Sequence, residues 1–190
     1  MSRLPWLSKQ NNKDEIVRAL QNGADINEQN KYGQTALYLA CQNNYAEITG
    51  ILLKNEKVNV NLQSEGGYSP FYAACNCSFD GYTSALLMIQ DARVDINMAD
   101  NYGWSPLMYA CYDGYTKIVR LLLSYGRNID IRKKSTEDSY SGDIASGSTV
   151  LDIVKQRNYT DVVQLLQQYQ NNPTETQKTL RNKLNLKGKK

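Results

Sequence analysis

Three of the four cysteines end the same phrase: GQTALYLAC at 33–41, GYSPFYAAC at 67–75 and GWSPLMYAC at 103–111. An ionised thiol is a nucleophile and a soft metal ligand. Cys41, Cys75, Cys77 and Cys111 are therefore the first candidates for a metal, redox or covalent centre. The Tyr and Trp side chains around them are the candidates for a binding surface, because aromatics dominate interface hot spots. The sequence has no histidine, which removes the commonest general base and the commonest metal ligand. It has no glycine-rich phosphate loop, and its carboxylates are scattered. No catalytic, metal or cofactor site is expected. A thiol-dependent enzyme or redox protein would have to rest on Cys77.

Composition narrows the setting. At 190 residues with 41% hydrophobic side chains, the chain suits one domain or one short repeat array. No apolar run approaches the roughly 18 residues of a membrane span. The start, MSRLPWLSKQ, lacks a signal-peptide apolar stretch, so a cytoplasmic or nuclear location with reduced thiols is expected. The formal charge of +3 is uneven. Residues 172–190 carry six Lys/Arg against Glu175, while the rest holds 16 basic and 18 acidic groups.

The elements that must position these residues repeat. Gly33, Gly67 and Gly103 are 34 and 36 residues apart, and six residues before each an Asn (Asn27, Asn61, Asn97) closes a matching phrase. Between them the apolar pattern is helical twice over. In the third copy Ser105–Tyr112 and TKIVRLLLSY at 116–125 are separated by Asp113-Gly114, with Gly126 as a helix stop. A unit of two short helices and an extended loop buries its apolar face only by stacking on its neighbours. The signature segments read TALYLA, SPFYAA, SPLMYA and, after Gly147, TVLDIV. Over roughly residues 1–170 the chain resembles the ankyrin-repeat family, whose signature is T-P-L-H-x-A.

The resemblance implies an all-α solenoid of helix-turn-helix units with hairpin loops. Thr35, Ser69, Ser105 and Thr149 are N-caps, and Pro70 and Pro106 open their helices. The boundaries expected are a capping half-repeat over 1–29 and full repeats over 30–63, 64–99 and 100–132. An inserted polar loop over 133–146, a C-terminal capping repeat over 147–171 and a basic, disordered tail over 172–190 complete the chain. Lys155 and Gln167, which replace apolar residues of earlier copies, suit an outer cap.

Repetition also sorts the candidates. Equivalent residues of packed helices lie about 8–10 Å apart. That exceeds the ~7 Å Cα limit for a disulfide and the reach of one zinc ion with ~2.3 Å bonds. Cys41, Cys75 and Cys111 therefore read as small core residues. Tyr38 and Tyr72 at the signature's histidine position, with Tyr45, Tyr82, Tyr115 and Tyr159 before the second helices, read as structural.

In the family, partners meet the hairpin fingertips and the exposed side of the first helices. By that resemblance the partner-binding positions are Tyr32, Gln34, Tyr68, Tyr102, Trp104, Tyr112 and Asp113, centred on the third repeat. The partner expected is a protein or peptide bound by a monomer, with no small-molecule substrate. On this reading, replacing Trp104 and Tyr112 with alanine abolishes capture and leaves the melting temperature nearly intact. The polar finger IRKKSTEDSYSGDIAS is expected to be mobile, either a tolerated insertion or an arm with phosphorylation candidates Ser135, Ser139 and Ser141. The tail offers a second reading, an adaptor tethered to nucleic acid or an anionic membrane.

Overall fold

The computed structural model describes residues 3–76, 82–125, 127–139 and 141–186. Among the described residues the regular elements are α-helices, without strands. The chain forms two compact units, Met1–Asn101 and Tyr102–Lys190. Cys77, the lengthened turn over 77–81, the helix stop at Gly126 and the last four lysine-rich positions lie outside the described residues.

The first unit contains α1 (Arg3–Lys9), α2 (Lys13–Gln21), α3 (Ala36–Gln42), α4 (Ala46–Leu53), α5 (Pro70–Cys75) and α6 (Thr83–Gln90). The first helices of successive repeats, α1, α3 and α5, pack side by side, and so do the second helices α4 and α6. Their starts follow from the hydroxyl residues: Thr35 and Ser69 accept hydrogen bonds from the backbone N–H groups of Tyr38 and Tyr72. The second helices α4 and α6 open on tyrosine without a side-chain cap, whereas Asn12 caps α2 through Glu15 N. Leu4, Ile16, Leu37, Ile48, Leu52, Phe71, Met88 and Ile89 fill the core. One polar pair lies among them, the Thr49 and Ser84 hydroxyls 3.1 Å apart between α4 and α6.

The loops are held together by side chains that the repeat places in phase. Asn27 Nδ2 donates to Lys57 O and its Oδ1 accepts from Asn59 N; Asn61 does the same with Arg93 O and Asp95 N one repeat on. Gln29 donates to Gly33 O and Gln63 O, and Gln63 to Gly67 O and Ala99 O. Asn27 and Asn61 are therefore staples between neighbouring fingers, each satisfying one backbone donor and one acceptor.

The second unit contains α7 (Pro106–Tyr112), α8 (Thr116–Ser124), α9 (Val150–Gln156), α10 (Thr160–Asn171) and α11 (Pro173–Lys183). Ser105 and Thr149 cap α7 and α9; the Asp152 carboxylate accepts in return from Thr149 N–H, completing a capping box. The first helices α7 and α9 pack together, and α8 packs on α10 and α11.

Two segments differ from expectation. The tail is not disordered over Pro173–Lys183: Asn172 caps it, Pro173 starts it, and the helix lies against α8 and α10. Leu180, its one buried residue, is 3% exposed, Arg181 sits 5.7 Å from the Tyr125 ring, and Gln177 donates to Tyr169 OH. The i,i+4 spacing of Leu180 and Leu184 allows a short helix in sequence, but not its docking, because the partners of Leu180 are far away along the chain. Leu180→Ala is expected to cost about 2–3 kcal/mol of docking. Hydrogen exchange at 173–183 should then accelerate well before that of α8; retained protection would mean that another contact holds the helix.

The polar finger is the other. Hydrogen bonds Ser135 N to Ser148 O and Gly147 N to Ser135 O reproduce the hairpin base seen at Asn30–Gln34 and Ser64–Tyr68. The extra residues are inserted at the fingertip, where the described ones lie back against α7 and α9.

Candidate functional site

In the first unit, α1 and the first fingertip bring exposed aromatics together. Trp6 and Tyr32 are each 54% exposed. They line a groove of about 310 Å³ with Pro5, Lys9, Lys31 and Leu39. Lys31 Nζ lies 4.9 Å from the Tyr32 ring centroid, a cation–π contact that holds the ring at the rim. Gln34 sits beneath the fingertip, its Oε1 accepting from Asn30 Nδ2 at 3.0 Å. Tyr68 turns inward to stack on Tyr72, centroids 4.5 Å apart, and burial raises the Tyr72 phenol's pKa. Trp6 was not among the expected positions. Its signal was its place on the shortened first helix of the capping half-repeat, which packs on α3 as α3 packs on α5.

The second unit corrects the centre of the expected site. Trp104 is 3% exposed, not a free fingertip side chain. Its ring packs against Tyr109 at 5.2 Å and edge-on to Tyr112 at 5.6 Å, and its Nε1–H points to Glu137 O at 3.4 Å. The physical reason is the inserted finger, which supplies both a wall for the indole and a carbonyl for its N–H. Tyr102, at 43% exposed, remains on the surface. Tyr112 is half-buried, and its hydroxyl is engaged by the lobe. Asp113 is exposed; its carboxyl pKa is raised by partial desolvation and pulled back by the Arg157 charge.

The lobe is organised around Asp143. Its Oδ1 accepts from Ser141, from Ser139 Oγ at 2.7 Å and from Tyr112 OH at 3.0 Å, while Oδ2 accepts from Arg157 Nη1 at 3.1 Å. Gln156 donates to the Asp143 carbonyl. Ser139 also accepts from Ile144 N and donates its backbone N–H to Ile144 O, closing a turn around the fully buried Ile144 side chain. Ser135 and Ser139 are buried, which leaves Ser141 as the accessible hydroxyl of the three modification candidates. The Ser141 hydroxyl, then those of Ser139 and Tyr112, hold the Asp143 carboxyl well below the usual range. A depressed folded pKa stabilises above the unfolded value near 3.9 and is lost only as pH falls through the lower folded one. The Asp143 hydrogen bonds are therefore not lost to protonation at neutral pH.

Cys41, Cys75 and Cys111 are all buried, and burial raises the Cys111 pKa, which disfavours its thiolate. Among the described residues no three Cys, Asp or Glu side chains are grouped to hold a metal ion. No described helix is long and apolar enough to cross a membrane.

A family model described as ankyrin repeats (3 copies) matches residues 6–97 and 63–135. This chain belongs to the ankyrin-repeat family, whose repeats serve in general as protein-interaction modules and are typically non-catalytic. Among individual relatives, it is 25% identical over 136 residues to SMC5-SMC6 complex localization factor protein 1 of Bos taurus, covering 72% of this chain and 13% of that protein. It is 30% identical over 120 residues to a putative ankyrin repeat protein of Rickettsia bellii, covering 61% and 34%. Human Rabankyrin-5 is 26% identical over 120 residues, covering 63% and 10%. The chain thus spans between a tenth and a third of the length of these relatives.

Proposed function

We propose that the chain is a non-catalytic recognition module that binds a protein or peptide through fingertip and first-helix side chains. The Trp6–Tyr32 groove of the first unit is its anchor point. The observation that carries this reading is the pair of large rings, each more than half exposed, beside a groove whose charged lining residues are Lys9 and Lys31. An indole and a phenol held at a rim are hot-spot material: large area, few torsions to immobilise. The charge favours a segment with an apolar side chain for the groove and acidic residues beside it. A localization factor among the relatives is in keeping with a recognition role. The expected centre on the third repeat moves to the first unit, because Trp104 is already spent on packing.

The test is selection of displayed peptides on the full-length protein. Selected peptides should be enriched in Asp/Glu around an apolar residue. Trp6→Ala with Tyr32→Ala should weaken their binding at least about tenfold, the scale of a hot-spot loss, with the melting temperature unchanged. Binding that survives the double variant, or peptides without acidic enrichment, would refute the anchor.

A further inference from the structure

The inserted finger rests on α7 and α9 through one carboxylate and one aliphatic side chain. Tyr112, at the end of α7, and Arg157, just after α9, belong to separate helices, and together they build a seat. The Arg157 guanidinium lies 4.4 Å from the Tyr112 ring centroid, which fixes its plane and aims its N–H groups at one point. Asp143 fills that point, bonded to Tyr112 OH at 3.0 Å and to Arg157 Nη1 at 3.1 Å, and Ile144 buries itself beside it. Neither donor belongs to the finger, and neither requires that the carboxylate be covalently attached to this chain.

We propose that Tyr112 and Arg157 form a carboxylate-accepting seat for an acidic segment of a partner protein, and that residues 137–146 are the chain's own occupant, displaced when that segment binds. The proposal is independent of the Trp6–Tyr32 groove, since it concerns other residues of the other unit.

Charge complementarity selects the partner's chemistry. The seat already holds an Asp followed by an aliphatic residue in a tight turn, so a competing segment of that kind meets the same donors and leaves none unpaired. Exchange of one carboxylate for another keeps the charge-assisted hydrogen bonds, whereas a neutral segment would strand the guanidinium. The occupant's advantage is its tether, an effective concentration in the millimolar range for a short connection. A partner therefore succeeds only by adding contacts of its own, and the lobe sets an affinity threshold. Among the described residues the lobe's other polar ties to the rest of its unit include the contact of the Ser141 and Tyr112 hydroxyls, Gln156 to the Asp143 carbonyl, Glu137 N to Tyr102 O and the long Trp104 Nε1–H contact to Glu137 O. A segment held largely through exposed polar contacts opens before the helices do.

The experiment uses the full-length protein and a capped synthetic peptide with the sequence of residues 137–146, EDSYSGDIAS. Titration calorimetry compares wild type with Asp143→Asn, whose own occupant has lost its carboxylate. The variant should bind the peptide at least about tenfold more tightly than wild type, because the tethered competitor is weakened. Adding Arg157→Met, or using a peptide with Asn at its Asp143 position, should remove that binding. Equal affinity for wild type and Asp143→Asn, absence of binding to Asp143→Asn, or indifference to the peptide's carboxylate would each overturn the proposal. Hydrogen exchange on the wild type gives a second measurement that needs no variant. The Ile144 amide should exchange far faster than those of α7 and α9; exchange at the same rate would make the lobe a fixed part of the repeat and overturn the displacement.

Discussion

Trp104→Ala is expected to lower the melting temperature by on the order of 10 °C, the reverse of the near-silent change anticipated for a fingertip residue. The indole is almost entirely buried between Tyr109, Tyr112 and the inserted finger. Truncating a packed Trp costs about 3–5 kcal/mol, since a cavity is left that the surroundings only partly close. In a chain of this size each kcal/mol shifts the melting temperature by roughly 2–4 °C. The finger should loosen at the same time, because Glu137 O loses its donor and the lobe loses one wall. Thermal denaturation by circular dichroism measures the first effect and hydrogen exchange at 137–146 the second. Trp104→Phe separates volume from hydrogen bonding: it should recover most of the melting temperature and little of the Glu137 contact. A shift of the alanine variant below ~2 °C would mean that the ring contributes almost nothing to packing.

Gly67→Ala is expected to destabilise the first unit by about 2–4 kcal/mol through two additive causes. Gly67 has φ +79°, a left-handed conformation that a Cβ disfavours. A Cβ there would also lie 2.6 Å from the backbone nitrogen of Asn101, and a backbone atom cannot step aside as a side chain can. The fingers would have to separate, breaking the hydrogen bond from Asn101 N to Gly66 O. Denaturant unfolding measures the loss. Gly142→Ala is the control for strain alone, with φ +72° and open space around its Cβ position, so its cost should be clearly smaller. Equal costs at the two sites would show that the close approach of the fingers has no energetic weight.

These two variants mark the border between what was readable in the chain and what was not. The glycine was readable: three copies in phase demand the same turn, and Gly103 meets Thr136 N as Gly67 meets Asn101 N. The caps at Thr35, Ser69, Ser105 and Thr149 were readable for the same reason, since a hydroxyl before an apolar helical pattern has one local use. Cys41, Cys75 and Cys111 were sorted correctly as buried fillers, because the repeat assigns them one position and that position is interior. Trp104 was misread. The period places it at a fingertip, where a repeat of ordinary length would expose it, and nothing in the period says where an insertion comes to rest.

The amino-acid sequence by itself determined the repeat, its helices and turns, and the class of protein, because helix period, capping and left-handed glycines are local and recur in register. Only the tertiary structure decided three single-copy contacts. They are the burial of Trp104, the seating of Asp143 between Tyr112 and Arg157, and the docking of Leu180 on the second-helix row. Each joins residues far apart along the chain and occurs once, so no repetition announces it. The accessible aromatics follow from the same cause: Trp6 and Tyr32 remain on the surface because no described segment folds over them, whereas the finger lies on Trp104 and engages Tyr112.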